Sequence, residues 1–313
     1  MISTALLLAL SAGLDEIALK AALQKAEAAV PVNFRQVDQA VLDYAQFLQR
    51  QGRYREAEPL YLRSTMLNKT MHGPESPEHG LSLLRMGALY HAELHFRLAE
   101  ELTRQSVDLL RSVAGEESLA YAYAIANLAT TLAAQGQNAR AEPVLRRAIY
   151  LMEKHGGGSG VAALEVNLGL VYLRQGEFLN ASRVLHGVLD RSADCASGWA
   201  AMAELSIAEE HWVEAEEQIR QAYHLTIEQS GAGLLGIVHM RALVEAHMGD
   251  WSSALADMRR AIALTESVAG PDSPALLPFL EEYATILRRS RLRREALAVL
   301  RRARTIRELA AQP

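Results

Sequence analysis

Along this chain the small side chains, not the large apolar ones, keep the clearest time. An alanine follows a turn at Ala57, Ala99, Ala141, Ala181, Ala215, Ala254 and Ala296, with spacings of 42, 42, 40, 34, 39 and 42 residues. Five residues before each alanine lies a turn slot, filled by Gly52, Leu94, Gly136, Gly176, Glu210, Gly249 and Arg291. Seven residues before each slot the side chain is again small: Ala45, Gly87, Ala129, Gly169, Ala203, Ala242 and Ala284. A fourth column, seven residues after each alanine, holds Ser64, Ser106, Ala148, Val188, Ala222, Ala261 and Ala303. Apolar residues eight and four before the slot, such as Tyr44 with Leu48 or Leu128 with Leu132, add a stripe of helical spacing.

These columns predict helical hairpins. Glycine in the slot takes the left-handed conformation that ends a first helix. The two small columns fall where paired helices cross, so bulk there would push the helices apart. The residue three before each alanine is often aromatic (Tyr54, Phe96, Phe178, Trp212, Trp251), placed to fill the wedge between neighbouring hairpins. The fold class expected is all-α, a right-handed α-α superhelix of about seven hairpins over residues 38–310, with units starting near 38, 80, 122, 162, 196, 235 and 277.

The columns resemble the tetratricopeptide (TPR) signature, and most steps, being near 42 residues, resemble the units of kinesin light chain. Ala57-Glu58-Pro59-Leu60-Tyr61 and Ala141-Glu142-Pro143-Val144-Leu145 are similar to that family's second-helix opening, where proline is expected to sit harmlessly in the first turn. Gly73-Pro74-Glu75-Ser76-Pro77 and Gly270-Pro271-Asp272-Ser273-Pro274 are similar to its inter-repeat loop, with serine capping the next helix and proline in its first position. The resemblance implies a non-catalytic scaffold that binds a protein segment in the groove lined by first helices.

Reading the slots opposite the buried stripe places Arg85, Tyr123, Asn127, Thr130, Asn167 and Arg174 on that inner wall. In peptide-binding relatives, the resemblance implies, asparagines in the column of Asn127 and Asn167 grip a peptide backbone. An amide bonds both C=O and N–H of an extended chain. Arg85 and Arg174 would favour an acidic segment or a C-terminal carboxylate, so the partner expected is an extended or acidic protein segment. The same slots in later units hold Ser197, Ala201, Glu204 and Ala208, then Gly236, Met240, Leu243 and His247. Arg241 and Glu245 fall in the buried stripe of the sixth unit. Either that helix is rotated, with Met240, Leu243 and Val244 as its apolar face, or an ion pair is partly buried; rotation is the expectation.

Composition agrees with helices: 50% hydrophobic but 6% aromatic, on an Ala, Leu, Glu and Arg background. Net charge is −5, which does not suit a nucleic-acid binder. Residues 288–307 nevertheless carry nine arginines against Glu295, +8 in all, leaving −13 for the rest. That end is read as a solvated cap, with docking of an anionic partner as the alternative. Catalytic residues, metal and cofactor are expected to be none: Cys195 is alone, and His91 and His95 have helical spacing but no third ligand. Gly156-Gly157-Gly158-Ser159-Gly160 lacks the following Lys-Ser or Lys-Thr of a phosphate loop and reads as a linker. Residues 1–37 are expected to form a helical cap. The apolar run Ile2–Leu14 has signal-peptide length without a basic start, so the expected place is cytoplasmic, or periplasmic if residues 1–13 are a cleaved signal on an envelope assembly factor. No stretch reaches transmembrane length.

Overall fold

The computed structural model describes residues 4–157, 159–229 and 233–310. The described residues form α1 (Thr4–Ala28) and then seven hairpins. These are α2 (Phe34–Arg50) with α3 (Tyr54–His72), α4 (Pro77–Ala92) with α5 (Phe96–Ala114), and α6 (Leu119–Ala134) with α7 (Asn138–Lys154). They continue as α8 (Ser159–Arg174) with α9 (Phe178–Arg191), α10 (Ala196–Ala208) with α11 (Trp212–Gln229), and α12 (Leu234–Met248) with α13 (Trp251–Ala269). The last is α14 (Leu277–Arg289) with α15 (Arg293–Ala310), entered through a 3-10 turn at Pro274–Leu276. The chain divides into two compact units, 1–167 and 168–313, so the division falls within α8. In each unit a helix packs on its hairpin partner and on the next hairpin. The all-α hairpin fold read from the small columns is the fold observed.

The small columns are the buried ones. Ala57, Ala99, Ala141, Ala181, Ala215 and Ala254 are fully buried, as are Ala45, Ala129, Ala203, Ala242 and Ala284. Where the partner helix brings a larger side chain close, even alanine would not fit. A Cβ on Gly87 would lie 2.4 Å from Thr103 Oγ1, and one on Gly169 would lie 2.7 Å from Leu185. Serines in the second small column need partners because they are buried. Ser106 Oγ donates to Gly80 O at 2.7 Å, and Ser64 Oγ donates to Asp38 Oδ1 at 2.6 Å.

Each turn closes identically. The slot residue has positive φ in all seven hairpins, including the three that are not glycine: Leu94 (63°), Glu210 (61°) and Arg291 (67°). The following N–H bonds the carbonyl five residues back, as in Arg53 N to Leu48 O (2.9 Å), His95 N to Tyr90 O (2.9 Å) and Leu292 N to Leu287 O (2.8 Å). This Schellman pattern satisfies helix-end carbonyls, and it recurs whatever side chain occupies the slot. The turn imposes the conformation, then, and three L-residues bear its steric cost.

Ser76 caps α4 by accepting from His79 N, with Pro77 first in the helix, as expected. The loop Gly115-Glu116-Glu117-Ser118 does the same without proline: Gly115 has φ 87° and ψ 156° against 88° and 162° at Gly73, and Ser118 caps α6. Sequence reading missed it for want of that proline. The prolines of the second helices call for a correction. Pro59 and Pro143 are sixth in α3 and α7, not in the first turn, because those helices begin at Tyr54 and Asn138. Each costs one helical hydrogen bond, on a side where the proline is exposed to water.

Gly156 and Gly157 both have positive φ and Gly157 N bonds Met152 O at 2.8 Å, so they stop α7; Gly158 lies outside the described residues. Met1–Ser3, the side chains to Leu14 and therefore the possible signal also lie outside them. From Asp15 on, α1 is tied to the first hairpin by Glu16, which accepts from Arg53 (2.6 Å), Tyr44 Oη (3.1 Å) and Lys20 (2.8 Å). Hydrogen bonds from Arg53 and Lys20 hold its carboxyl down at about 2. Among the described residues no helix is long and apolar enough to cross a membrane.

Candidate functional site

In the first unit the face of the first helices opposite their buried stripe is rich in hydrogen-bonding groups on α6 and α8. Leu128 and Leu132 bury one side of α6, which turns Tyr123, Asn127 and Thr130 outward one turn apart. Tyr123 is 44% exposed, while Asn127, Thr130 and Asn167 are half-buried. Asn127 Nδ2 donates to Tyr123 O at 3.2 Å, a long bond within its own helix. Asn167 Nδ2 on α8 donates to Thr130 Oγ1 on α6 at 3.3 Å, so two consecutive first helices are joined across this face. Thr130 Oγ1 in turn donates to Ala126 O at 3.0 Å. Four of the expected residues are thus brought together.

Arg85 occupies the same column on α4 and has no ion-pair partner among the described residues. It lines a cavity of about 310 Å³ with Asp38, Asn68, His72 and Glu78. Asp38 is already committed, accepting from Ser64 and from Asn68 Nδ2 (2.9 Å). Arg174 belongs to the second unit, where its charge acts on Glu204.

The second unit treats the same face differently. Ala201 and Met240, expected on the wall, are buried at 1% and 8% exposure. Beside them Glu204, His239 and Glu282 stand on the successive first helices α10, α12 and α14. Burial raises the Glu204 carboxyl above its ordinary range, against the opposing pull of Arg174 and His239. His239 Nε2 bonds Glu282 Oε2, and its ring meets Phe279 edge-on at 5.0 Å between centroids. Sequence reading missed His239 because it stands one position off the assigned column. The displacement follows from Met240, which packs inward with Ile237 and Val244 against α11.

Within α12 both expected readings meet: Met240 and Val244 are buried and Leu243 packs against the core, yet the crossing and turn positions are kept. Ala242 stays in the crossing position, fully buried, and Gly249 stays in the turn with φ 87°. Arg241 and Glu245 therefore keep their stripe positions, and Arg241 pairs with Asp257 of α13 (Nη2 to Oδ1 2.8 Å) while covering the Tyr223 ring at 4.4 Å. His247, also expected on the inner wall, stacks on Trp212 with centroids 3.7 Å apart, and Arg289 lies over Trp251 at 5.2 Å. These contacts are how the aromatics after the turns fill the wedge to the next hairpin.

Other candidates dissolve. His91 bonds Thr131 Oγ1 at 3.2 Å and His95 is an exposed helix-start residue beside Glu93. Among the described residues no cluster of three or more His, Cys, Asp or Glu side chains could hold a metal. Of the terminal arginines, Arg302 pairs with Glu266 (2.6 Å), Arg304 with Glu308 (2.7 Å) and Arg307 with Glu281.

Family models described as tetratricopeptide repeat match residues 38–112, 122–155 and 234–308. The chain belongs to the tetratricopeptide-repeat family. No curated protein matches it in sequence. Among solved structures it resembles BtubC (BKLC) from P. vanneervenii, 18% identical over 70% of this chain and 92% of that one, with a TM-score of 0.57. It also resembles a kinesin-light-chain-type protein of nearly identical TPR-like repeats from Podosopora anserina (19% identity, 62% of this chain and 96% of that one, TM-score 0.50). A third is the Rap conjugation gene regulator of plasmid pLS20 in complex with the Phr* peptide (13% identity, 89% and 74%, TM-score 0.65). At these identities the likeness is one of fold.

Proposed function

We propose that this protein is a non-catalytic interaction scaffold that holds an extended peptide segment of a partner against the first-helix face of its first unit. The observation that carries the reading is the amide and hydroxyl wall of Asn127, Thr130 and Asn167, half-open and joined across two helices. Asn127 spends its donor on a long bond to its own helix, which an incoming carbonyl could replace, and its oxygen is available to a backbone N–H. Tyr123 offers an exposed ring beside them, and Arg85, with no ion-pair partner of its own, favours a segment carrying a carboxylate. Arg174 would act as a separate basic contact in the second unit. The peptide complex of the Rap regulator supports the reading at the level of what such a fold does.

The test is a peptide array followed by titration of the tightest binders against wild type and the Asn127→Ala, Asn167→Ala double variant. Loss of two backbone bonds should weaken binding by about 10- to 100-fold, at about 1 kcal/mol or somewhat more for each bond. Unchanged binding would remove the face from the proposal.

A further inference from the structure

The second unit contains a cleft between α11 and α12 that the peptide-binding reading does not use. Its volume is about 520 Å³, and Val213, Ile219 and Val244 give it an apolar wall. At one side stands Glu245. Its Oε1 lies 3.7 Å from Arg241 Nε, while its Oε2 is buried with no hydrogen-bond partner. A buried carboxylate oxygen without a donor is costly, and native structures rarely leave one so.

The charges around it identify what is missing. Arg241 is the cation nearest to Glu245, but its guanidinium is taken up by Asp257 on α13 and by the Tyr223 ring on α11. Arg260 of α13 donates to Tyr223 Oη at 2.9 Å, and Arg220 pairs with Glu217 on α11. Against these, Asp257, Asp250 and Glu216 all add negative potential at Glu245. Burial above all, with that potential added and against the pull of Arg241, lifts the Glu245 carboxyl to about 7. His224 also lines the cleft. The lining sets Glu216, Glu217 and Glu245 against Arg220 and Arg241, one carboxylate oxygen lacks a donor, and an apolar wall leads to it.

We propose that this cleft receives the side chain of a lysine from a partner protein. The four-carbon stem lies along Val213, Ile219 and Val244, and the ammonium donates to Glu245 Oε2, whose proton leaves to solvent as the cation enters. Lysine fits better than arginine because one oxygen lacks a partner rather than two, and an ammonium is a point donor whereas a guanidinium seeks a bidentate acceptor. Val213, 70% exposed, marks the entrance.

The experiment uses the full chain labelled with 13C at glutamate side-chain carboxyls, and n-butylammonium chloride as the probe. The Glu245 resonance, assigned by its absence in Glu245→Gln, should titrate with a midpoint near neutrality and fall by a unit or more under saturating n-butylammonium. n-Butanol should leave it in place, and n-propylguanidinium should move it less. Glu245→Gln should bind the ammonium at least tenfold more weakly than wild type, whereas Glu308→Gln, on the surface of α15, should bind it equally. A midpoint indifferent to n-butylammonium overturns the proposal, as does equal affinity in Glu245→Gln. A larger response to the guanidinium overturns the assignment to lysine. The midpoint is read on wild type, so a poorly folding variant does not obscure the result.

Discussion

In the first unit the stripe positions of the first helices are apolar or aromatic: Tyr44 with Leu48, Met86 with Tyr90, Leu128 with Leu132. In the second unit they are Leu168 with Tyr172, Met202 with Ser206, Arg241 with Glu245, and Tyr283 with Leu287. The turn geometry and the buried alanines are the same in both. The stripe is therefore not what sets the register. Close approach at the small columns sets it, because a helix cannot rotate by a fraction of a turn without driving a larger side chain into the crossing. Once held, the stripe can carry a charged pair, and the two units come to differ in chemistry. The first presents the amides and hydroxyls of Asn127, Thr130 and Asn167 beside Arg85, and the second presents Glu204, His239 and Glu282.

The largest test of that difference removes Asp257. Arg241 would remain partly buried without its partner, and Asp257→Ala should cost about 2–3 kcal/mol in urea unfolding. Adding Arg241→Leu should recover most of the loss. If the double variant is no better than the single, the register depends on the pair after all.

Next in size is Glu245→Gln. A carboxyl raised to about 7 disfavours the folded state once pH exceeds the ordinary value of 4.5, and the cost grows until the folded-state group is ionised. Glutamine removes that cost, so the variant should gain about 1–2 kcal/mol at pH 8, after discounting for partial exposure, and nothing near pH 4.5. A gain that does not depend on pH would contradict the electrostatic account.

The smallest effect should be common to both units. Leu94→Gly, Glu210→Gly and Arg291→Gly each relieve a left-handed L-residue, against the extra entropy glycine brings to the unfolded chain. Each should raise stability by about 0.5–1 kcal/mol in thermal melts. A destabilisation at Leu94 alone would mean that its side chain, 63% exposed, contributes contacts that the turn geometry does not reveal.

The hairpins were legible in the order of residues because small side chains at fixed spacing are a local record of helix crossing. The same holds for the turns, where Gly52, Gly136, Gly176 and Gly249 mark a backbone conformation, and for the caps at Ser76 and Ser273. Pro59 misled because a proline signals a helix start only when nothing upstream begins the helix sooner, and Tyr54 does.

For the binding face, column arithmetic placed Asn127 and Asn167 on adjacent helices, but not the Thr130 hydroxyl between them. His239 and Glu282, 43 residues apart, became partners only through packing. Position along the chain determines which face of a helix a residue occupies. Tertiary structure alone decided which charges meet, because Arg241 faced one acid four residues away on its own helix and another sixteen away on the next, and only the packing of α12 on α13 gave it to Asp257 and left Glu245 with an oxygen to spare.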